Sequence, residues 1–233
     1  MEGRLKDRQD AGQQLARMLA KFDHADDTIV IALPRGGVVV AFEIAAALHL
    51  PLDVCIVRKL GVPWQPELAM GAIAMGGVEV IHWDLITALG IRQQEIDQEV
   101  ALERIELNRR EKGYRGDRPW PDLIGKTAIV VDDGIATGAT AAAAIRALRL
   151  QGVKRVVIAA GVAAPPSLGR LSPEADEVVS AIEPARLSSI GEWFEDFTQV
   201  TDAEVQTLLT QSWAKHPASS AKTSVASGGQ GGA

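Results

Sequence analysis

Apolar residues form short, nearly continuous runs along the chain, and these runs alternate with longer segments of mixed polarity. Residues 28–33, 127–131 and 153–160 are mainly apolar and have the length of a strand. Such runs are typical of strands that are buried on both faces. Ala-rich segments of helical length follow at residues 38–50 and 141–150. The pattern predicts an α/β fold, with a mainly parallel sheet and helices on both of its faces.

The remaining segments give weaker patterns. Residues 5–22 carry apolar residues at helical spacing and predict an opening amphipathic helix. Residues 53–57 predict a further buried strand. Gly76-Gly77 separates two apolar runs within residues 72–81, which is typical of a hairpin. A long polar helix with a sparse apolar stripe is predicted over residues 84–113.

Length and composition fit one folded domain with a tail. The chain has 233 residues, of which 47% are hydrophobic and 23% are charged. A chain of this size buries roughly 70% of the surface that it exposes when unfolded, so we expect one domain over residues 1–213. Residues 214–233 are mostly Ser, Gly, Ala and Lys and predict a disordered tail.

Charge and cysteine content argue against several classes of function. Acidic residues outnumber basic ones by 30 to 24, for a formal net charge of −6, so nucleic-acid binding is not expected without a local basic patch. No apolar stretch approaches the roughly 20 residues that cross a bilayer, so we expect no membrane association. Cys55 is the only cysteine, which favours a reducing, cytoplasmic setting. The four histidines show no metal-ligand spacing.

The most informative segment follows the predicted strand that ends at residue 131. Asp132 and Asp133 come at the carboxyl end of this strand, the edge at which open parallel sheets bind ligands. The next loop contains small residues with Thr137 and Thr140, and it opens a helix. Its backbone N–H groups would suit a phosphate, and the carboxylates would accept hydrogen bonds from sugar hydroxyls. The alternative is a polar loop with an ordinary helix N-cap.

The run IVVDDGIATGAT, residues 129–140, resembles the 5-phosphoribosyl 1-pyrophosphate (PRPP) signature of type I phosphoribosyltransferases. The resemblance implies the fold of that family, with a core over about residues 25–165 and a small hood or cap. It implies that Asp132 and Asp133 hold the ribose hydroxyls, and that the loop after them seats the 5-phosphate. The PRPP-binding residues of this loop are Gly134, Ala136, Thr137, Gly138, Ala139 and Thr140.

Two earlier segments fit the same resemblance. Members of the family grip the pyrophosphate with a loop after the first core strand, through backbone N–H groups and one basic residue. Here the corresponding residues are Arg35, Gly36 and Gly37, and the family's cis peptide bond would precede Arg35. Arg58 and Lys59 end the next predicted strand, and Lys59 is the favoured second cation for the pyrophosphate. A plain turn with a surface arginine, and a solvated strand end, are the alternatives.

The reaction that the resemblance implies is transfer of the 5-phosphoribosyl group of PRPP to a nitrogenous base or related heterocycle, with release of pyrophosphate, as in nucleotide salvage. The predicted catalytic residues are Asp132, Asp133, Arg35 and Lys59. Mg²⁺ is the expected cofactor and would bind mainly through PRPP, so no protein ligand is assigned to it. Other members of the family are often dimers, so a homodimer is compatible with the resemblance.

The family covers the base with a variable hood and excludes water with a mobile cover. The hood would here come from residues 1–27 and about 162–212. Candidates for the cover are residues 61–77, which are rich in Gly and Pro, and the basic stretch over residues 109–118; for the latter, an exposed helix end is the alternative. Ala136 stands where 6-oxopurine enzymes have an aspartate, so hypoxanthine and guanine are less expected as acceptors.

Two other classes of function stay open at this point. Some relatives of this fold sense PRPP as regulators and act on nucleic acid. The lack of a recognisable base-binding sequence favours this alternative, and the excess of acidic over basic residues opposes it. A phosphosugar hydrolase or phosphorylase would use the same edge of the sheet without a base acceptor. A closed hood cavity beside Asp132 and Asp133 would favour the transferase, and a basic surface patch would favour the regulator.

Overall fold

Strands and helices alternate along most of the chain in the computed structural model, which describes residues 3–216. The strands are β1 (Thr28–Ala32), β2 (Leu52–Val54), β3 (Val57–Val62), β4 (Gln65–Ala74), β5 (Val78–Ile81), β6 (Thr127–Ile135), β7 (Arg155–Ala163) and β8 (Glu177–Ile182). The α-helices are α1 (Arg8–Met18), α2 (Gly36–Ala47), α3 (Trp83–Leu89), α4 (Gln93–Arg115), α5 (Ala139–Leu150), α6 (Pro165–Leu171) and α7 (Asp202–Lys215).

The main sheet has five strands in the order β2-β1-β6-β7-β8, and every neighbouring pair is parallel. Alternate residues of the central strand β6 enter two separate cores. Ile129 and Val131 pack in the core that includes residues of α1, α2 and α7. Ala128 and Val130 pack in the core that includes residues of α5. The predicted parallel sheet with helices on both faces is therefore confirmed.

A second sheet of three antiparallel strands, β3-β4-β5, is separate from the main one. The predicted hairpin at Gly76-Gly77 is confirmed as the connection between β4 and β5. The prediction of one strand over residues 53–57 is wrong, because the chain leaves the main sheet after Val54. Cys55 and Ile56 are buried in the connection between the two sheets, which explains why the segment has the apolar pattern of one strand.

The long helix predicted over residues 84–113 is in fact two helices, α3 and α4. Gly90 ends α3 in the left-handed conformation, with φ +65°. A glycine in this conformation is a common helix terminator because it carries no Cβ. Ile91 is buried directly after the break, so the chain changes direction where an apolar residue is available to fill the core.

The main sheet continues past residue 165, where the sequence placed the end of the core, because β8 pairs with β7 over Glu177–Ile182. Part of the segment that the resemblance assigned to the hood therefore belongs to the main sheet. Residues 214 and 215 form the end of α7 and not the start of the tail. The rest of the predicted tail, residues 217–233, lies outside the described residues. Within residues 3–216, no helix has the length and apolar character to cross a membrane.

A buried ion pair joins α4 to the main sheet. The Arg115 guanidinium lies against the Asp53 carboxylate of β2, with Nε 3.0 Å from Oδ1 and Nη2 3.1 Å from Oδ2. Nη2 also donates to the Pro119 carbonyl at 2.8 Å. Burial raises the pKa of the Asp53 carboxyl, and the positive charge of Arg115 acts in the opposite sense. Arg115 is therefore a structural residue and not part of an exposed basic cover.

We predict that Arg115→Leu destabilises the fold by about 3–5 kcal/mol, because it leaves the Asp53 carboxylate buried without its partner cation. The free energy of unfolding in urea measures this loss. Arg109→Gln is the matched control, since Arg109 pairs with Glu106 on the solvent-exposed face of the same helix; its unfolding midpoint should stay near that of the wild type. Equal effects of the two substitutions would contradict the prediction.

Candidate functional site

The loops after β1 and β6 meet at the carboxyl edge of the main sheet. Ala32 pairs with Val131, and the Leu33 N–H donates to the Val131 carbonyl at 2.8 Å. Each loop leads directly into a helix, since α2 begins at Gly36 and α5 begins at Ala139. The positive ends of two helix dipoles therefore lie together at the edge where parallel sheets bind ligands.

The loop after β6 offers a set of backbone N–H groups that donate to no acceptor within residues 3–216. These groups belong to Ala136, Thr137, Gly138, Thr140 and Ala141. Gly138 has φ +80°, a left-handed conformation that turns the chain into α5 without a side-chain penalty. A cavity of about 190 Å³ is lined by this loop and by Asp132. Free amides at a helix N-terminus form a site for an anion.

Helix α6 holds the carbonyl groups of the same loop. Ser167 Oγ donates to the Ala136 carbonyl at 2.6 Å, and Arg170 Nη2 donates to the Thr137 carbonyl at 3.1 Å. Arg170 Nη2 also donates to Ser167 Oγ at 2.9 Å. Hydrogen bonds from α6 thus hold the carbonyl groups of the loop, while its N–H groups remain free. These N–H groups are therefore preorganised for a ligand.

The prediction that the strand ends at residue 131 is wrong, because β6 continues to Ile135 and both aspartates lie inside it. Asp132 lines the cavity beside the loop. Its Oδ1 accepts the N–H of Asp133 at 2.9 Å. Burial raises the pKa of the Asp132 carboxyl well above its usual range, and the adjacent charge of Asp133 raises it further, while Arg8 acts to lower it. Two neighbouring carboxyl groups in a partly buried site resist full ionisation. The pair can therefore accept hydrogen bonds from ligand hydroxyls and, where it retains a proton, can also donate one.

Asp133 is packed against the loop that follows β1. Its Oδ2 accepts the Arg8 Nε–H at 2.7 Å. A Cβ added to Gly36 would overlap Asp133 Oδ2 and would lie 2.9 Å from Arg8 Nε. A Cβ added to Gly37 would lie 2.6 Å from the Val131 carbonyl oxygen. Both glycines are therefore required by close approach of the β1 loop to the strand that carries the acidic pair.

Arg35 stands between β1 and α2, at the same edge. The peptide bond between Pro34 and Arg35 is cis, as the resemblance implied. Arg35 Nη1 lies 4.0 Å from Asp202 Oδ1, and the Tyr114 hydroxyl donates to the same oxygen at 2.6 Å. Burial and the neighbouring Asp202 raise the pKa of Tyr114 to about 12. The Arg35 side chain is 38% exposed, so it remains accessible to a ligand.

Lys59 reaches the same region from the second sheet. The prediction that it ends a main-sheet strand is wrong, because it lies inside β3. Its Nζ is 3.5 Å from the Glu67 carboxylate. Lys59 also lines a second cavity, of about 170 Å³, to which Ala139 and Thr140 at the start of α5 contribute. Lys59 therefore borders the amide-lined loop, but it belongs to the second sheet and not to the main sheet.

Sequence reasoning missed Arg8 and Asp202. Arg8 lies 125 residues before its partner Asp133, and Asp202 lies 167 residues after Arg35. Neither residue belongs to a motif, and each reaches the site because α1 and α7 pack on α2. No local signal in the sequence could have identified them.

Another cluster that the spacing did not reveal lies at the opposite, amino edge of the sheet. The rings of His24 and His49 stack with centroids 4.1 Å apart, and His49 Nδ1 lies 3.1 Å from Asp23 Oδ1. His24 precedes β1 and His49 precedes β2. This position separates the cluster from the acidic pair, so we assign it no part in the site.

Fold and site together define a parallel α/β domain with an acidic pair and an amide-lined loop at its carboxyl edge. Residues 2–197 match the family model of the phosphoribosyl transferase domain. The chain belongs to this family, which confirms the resemblance found in its sequence.

Three similar proteins show how far the relationship extends. A protein of Mycobacterium tuberculosis (strain ATCC 25618 / H37Rv), named "Putative phosphoribosyl transferase Rv0571c", is 45% identical over 203 residues, which are 87% of this chain. These residues are 46% of that protein, so the chain spans about half the length of this relative. The crystal structure of TT1426 from Thermus thermophilus is 39% identical, with a TM-score of 0.81, and the match covers 89% of this chain and 98% of that chain. A ribose-phosphate pyrophosphokinase of Prochlorococcus marinus (strain MIT 9313) is 51% identical over 55 residues, 23% of this chain and 17% of that protein.

We predict that Gly36→Ala destabilises the fold by about 1–3 kcal/mol, because the new methyl group would displace the Asp133 carboxylate or the α2 backbone. Unfolding in urea measures the effect. Gly113→Ala is the control: this glycine lies inside α4 and a Cβ there would meet nothing within 4 Å. The control should be neutral or stabilising by up to about 1 kcal/mol, and an equally mild effect at Gly36 would contradict the packing described here.

We also predict that Asp132→Asn stabilises the folded protein at pH 7, by on the order of 1 kcal/mol. The folded-state pKa of Asp132 is raised, so the folded state binds this proton more tightly than the unfolded state does. Wild-type stability should therefore fall as pH rises through the raised pKa, and the asparagine variant should lose this dependence. Thermal unfolding from pH 5 to pH 8 tests the sign. Asp26→Asn, at an exposed aspartate, should leave the pH profile unchanged.

Proposed function

We propose that the protein transfers the 5-phosphoribosyl group of PRPP to a nitrogenous base or related heterocycle and releases pyrophosphate. One observation carries this proposal: within residues 3–216, five N–H groups without an acceptor lie just before and at the start of α5, all within eight residues after Asp133. Amides at a helix N-terminus suit a dianionic phosphate, and carboxylates suit sugar hydroxyls. The match to a protein named ribose-phosphate pyrophosphokinase supports a phosphorylated ribose as ligand.

The pyrophosphate end of PRPP would lie at the loop after β1. The N–H groups of Gly36 and Gly37 donate to no acceptor within the described residues, and they lie at the N-terminus of a 12-residue helix. Arg35 would supply the first cation. Lys59 would supply a second one once its weak contact with Glu67 is broken, since a contact of 3.5 Å with a largely exposed carboxylate holds it loosely.

Mg²⁺ fits the donor set of this site, which consists of hard carboxylate oxygens and would be completed by phosphate oxygens. We propose that the ion binds mainly through PRPP. When bound, it would neutralise negative charge on the leaving pyrophosphate. Arg35 and the free amides of the β1 loop would hold the leaving group in place.

The reaction breaks the bond between the anomeric carbon and the pyrophosphate oxygen and forms a bond from the acceptor nitrogen to the same carbon. The transition state should resemble an oxocarbenium ion, so fixed charges and exclusion of water accelerate it without a covalent nucleophile. Cys55 is unsuited to that role in any case, because its thiol is buried and burial raises its pKa to about 12.

The acceptor is defined here only by its class. Ala136 replaces the aspartate of 6-oxopurine enzymes, so we favour an acceptor that does not need a carboxylate at this position. We place the reaction in the cytoplasm, where the single cysteine would stay reduced. A homodimer stays a prediction of the resemblance.

We predict pyrophosphate release when the protein is incubated with PRPP, Mg²⁺ and a panel of purine and pyrimidine bases. The double variant Asp132→Asn/Asp133→Asn should weaken PRPP binding by roughly 10²–10⁴-fold, because each lost carboxylate removes a charged hydrogen bond of about 1.5–3 kcal/mol. Coupled pyrophosphate detection and isothermal titration calorimetry provide the two measurements, with Asp26→Asn as the control.

Each outcome has a distinct meaning. PRPP binding without release for any acceptor would point to the PRPP-sensing alternative. Release without any base would point to a phosphosugar hydrolase. Unchanged PRPP affinity in the double variant would show that the acidic pair does not hold the sugar.

A further inference from the structure

Arg8 of α1 joins three parts of the chain beside the acidic pair. Its Nε donates to Asp133 Oδ2 at 2.7 Å, and its Nη1 donates to the Thr198 carbonyl at 2.8 Å. Its guanidinium carbon lies 3.9 Å from the centroid of the Phe197 ring. The Arg8 side chain is only 10% exposed. An arginine that is stacked, hydrogen-bonded and largely buried has a fixed position, unlike one at the solvent surface.

Asp133 has one oxygen committed and one available. Oδ2 is bonded to Arg8 and packed against Gly36. Oδ1 accepts no hydrogen bond from an N–H group or a hydroxyl in the part of the chain that the structure describes. The neighbouring carboxyl group within hydrogen-bonding reach of Asp133 is that of Asp132. The carboxylate is therefore immobilised through one oxygen, which leaves the other for a ligand hydroxyl.

We propose that Arg8 is the positioning residue of the sugar site: it holds Asp133 through Oδ2 so that Oδ1 can accept a ribose hydroxyl. The inference rests on the proposed function, since it assumes that the ligand of the acidic pair is a sugar. Arg8 does not touch the reacting atoms. It acts through Asp133, and it couples that carboxylate to the C-terminal segment around Phe197 and Thr198.

The chain provides a matched control for this role. Arg4 Nη2 donates to the Phe194 carbonyl, so Arg4 also ties the N-terminal segment to residues 194–198. Arg4 forms no hydrogen bond or ion pair with Asp133 among the described contacts. A variant at Arg4 therefore loosens the same segment while the bond to the acidic pair remains. The comparison separates positioning of Asp133 from general support of the fold.

The experiment is calorimetric titration of PRPP, in the presence of Mg²⁺, into the full-length protein and its variants. Arg8→Gln should raise the PRPP dissociation constant by roughly 10–100-fold, the size expected when a hydrogen bond to a charged group is lost. Arg8→Lys should recover part of this affinity, since an ammonium can still reach Asp133. Arg4→Gln should stay within about threefold of the wild type. In the Asp133→Asn background, Arg8→Gln should have little further effect, because the two residues act as a unit.

Three results would overturn the inference. The first is unchanged PRPP binding in Arg8→Gln. The second is tighter PRPP binding in that variant, which would mean that Arg8 blocks Asp133. The third is additive losses in the double variant, since they would indicate that Arg8 supports only the fold. If Arg8→Gln does not fold, Arg8→Lys provides the same test through its intermediate affinity, with thermal unfolding as the check of stability. Absence of PRPP binding in the wild type would instead refute the proposed function itself.

Discussion

The parallel pairing of β1 with β6 is the constraint on which the rest of the site depends. The bond from the Leu33 N–H to the Val131 carbonyl closes the ladder between β1 and β6. Each strand then leads into a helix after a loop of three residues, between Ala32 and Gly36 and between Ile135 and Ala139. The glycines after Arg35 allow the β1 loop to pack directly on β6. A shift of this register would separate the two sets of free amides, and a ligand with anionic groups at both ends could no longer contact both.

The site carries a stability cost that the rest of the fold offsets. Burying adjacent carboxylates opposes their ionisation, as the raised pKa of Asp132 shows. Arg8 partly balances this charge, and α6 fixes the loop through Ser167 and Arg170. The buried carboxylate of Asp53 has its partner cation in Arg115, elsewhere in the fold. At the candidate site Asp133 is paired with Arg8, and Asp132 forms no ion pair within residues 3–216.

The sequence predicts which segments meet at the carboxyl edge of the main sheet, because the signals for them are local. The acidic pair, the small residues after it and the glycines at 36 and 37 lie within short segments whose backbone geometry their residue types dictate. Lys59 shows the limit of such reasoning: an apolar run across Cys55 and Ile56 looks like one strand, yet it is a buried connection between two sheets. Arg8 was not predictable at all, since only tertiary packing brings it to Asp133.

Contacts between the two ends of the domain lie close to the loop after β6, although neither end belongs to the signature motif. The Leu5 N–H donates to the Trp193 carbonyl at 2.9 Å, and the Glu195 N–H donates to the Leu5 carbonyl at 2.8 Å. Ile190, just before this pairing, packs on Gly134, where any side chain would overlap it. The wall beside the loop after β6 is thus set by residues far from the motif in sequence. Substitutions there can therefore reshape the surroundings of the candidate site while the motif itself stays unchanged.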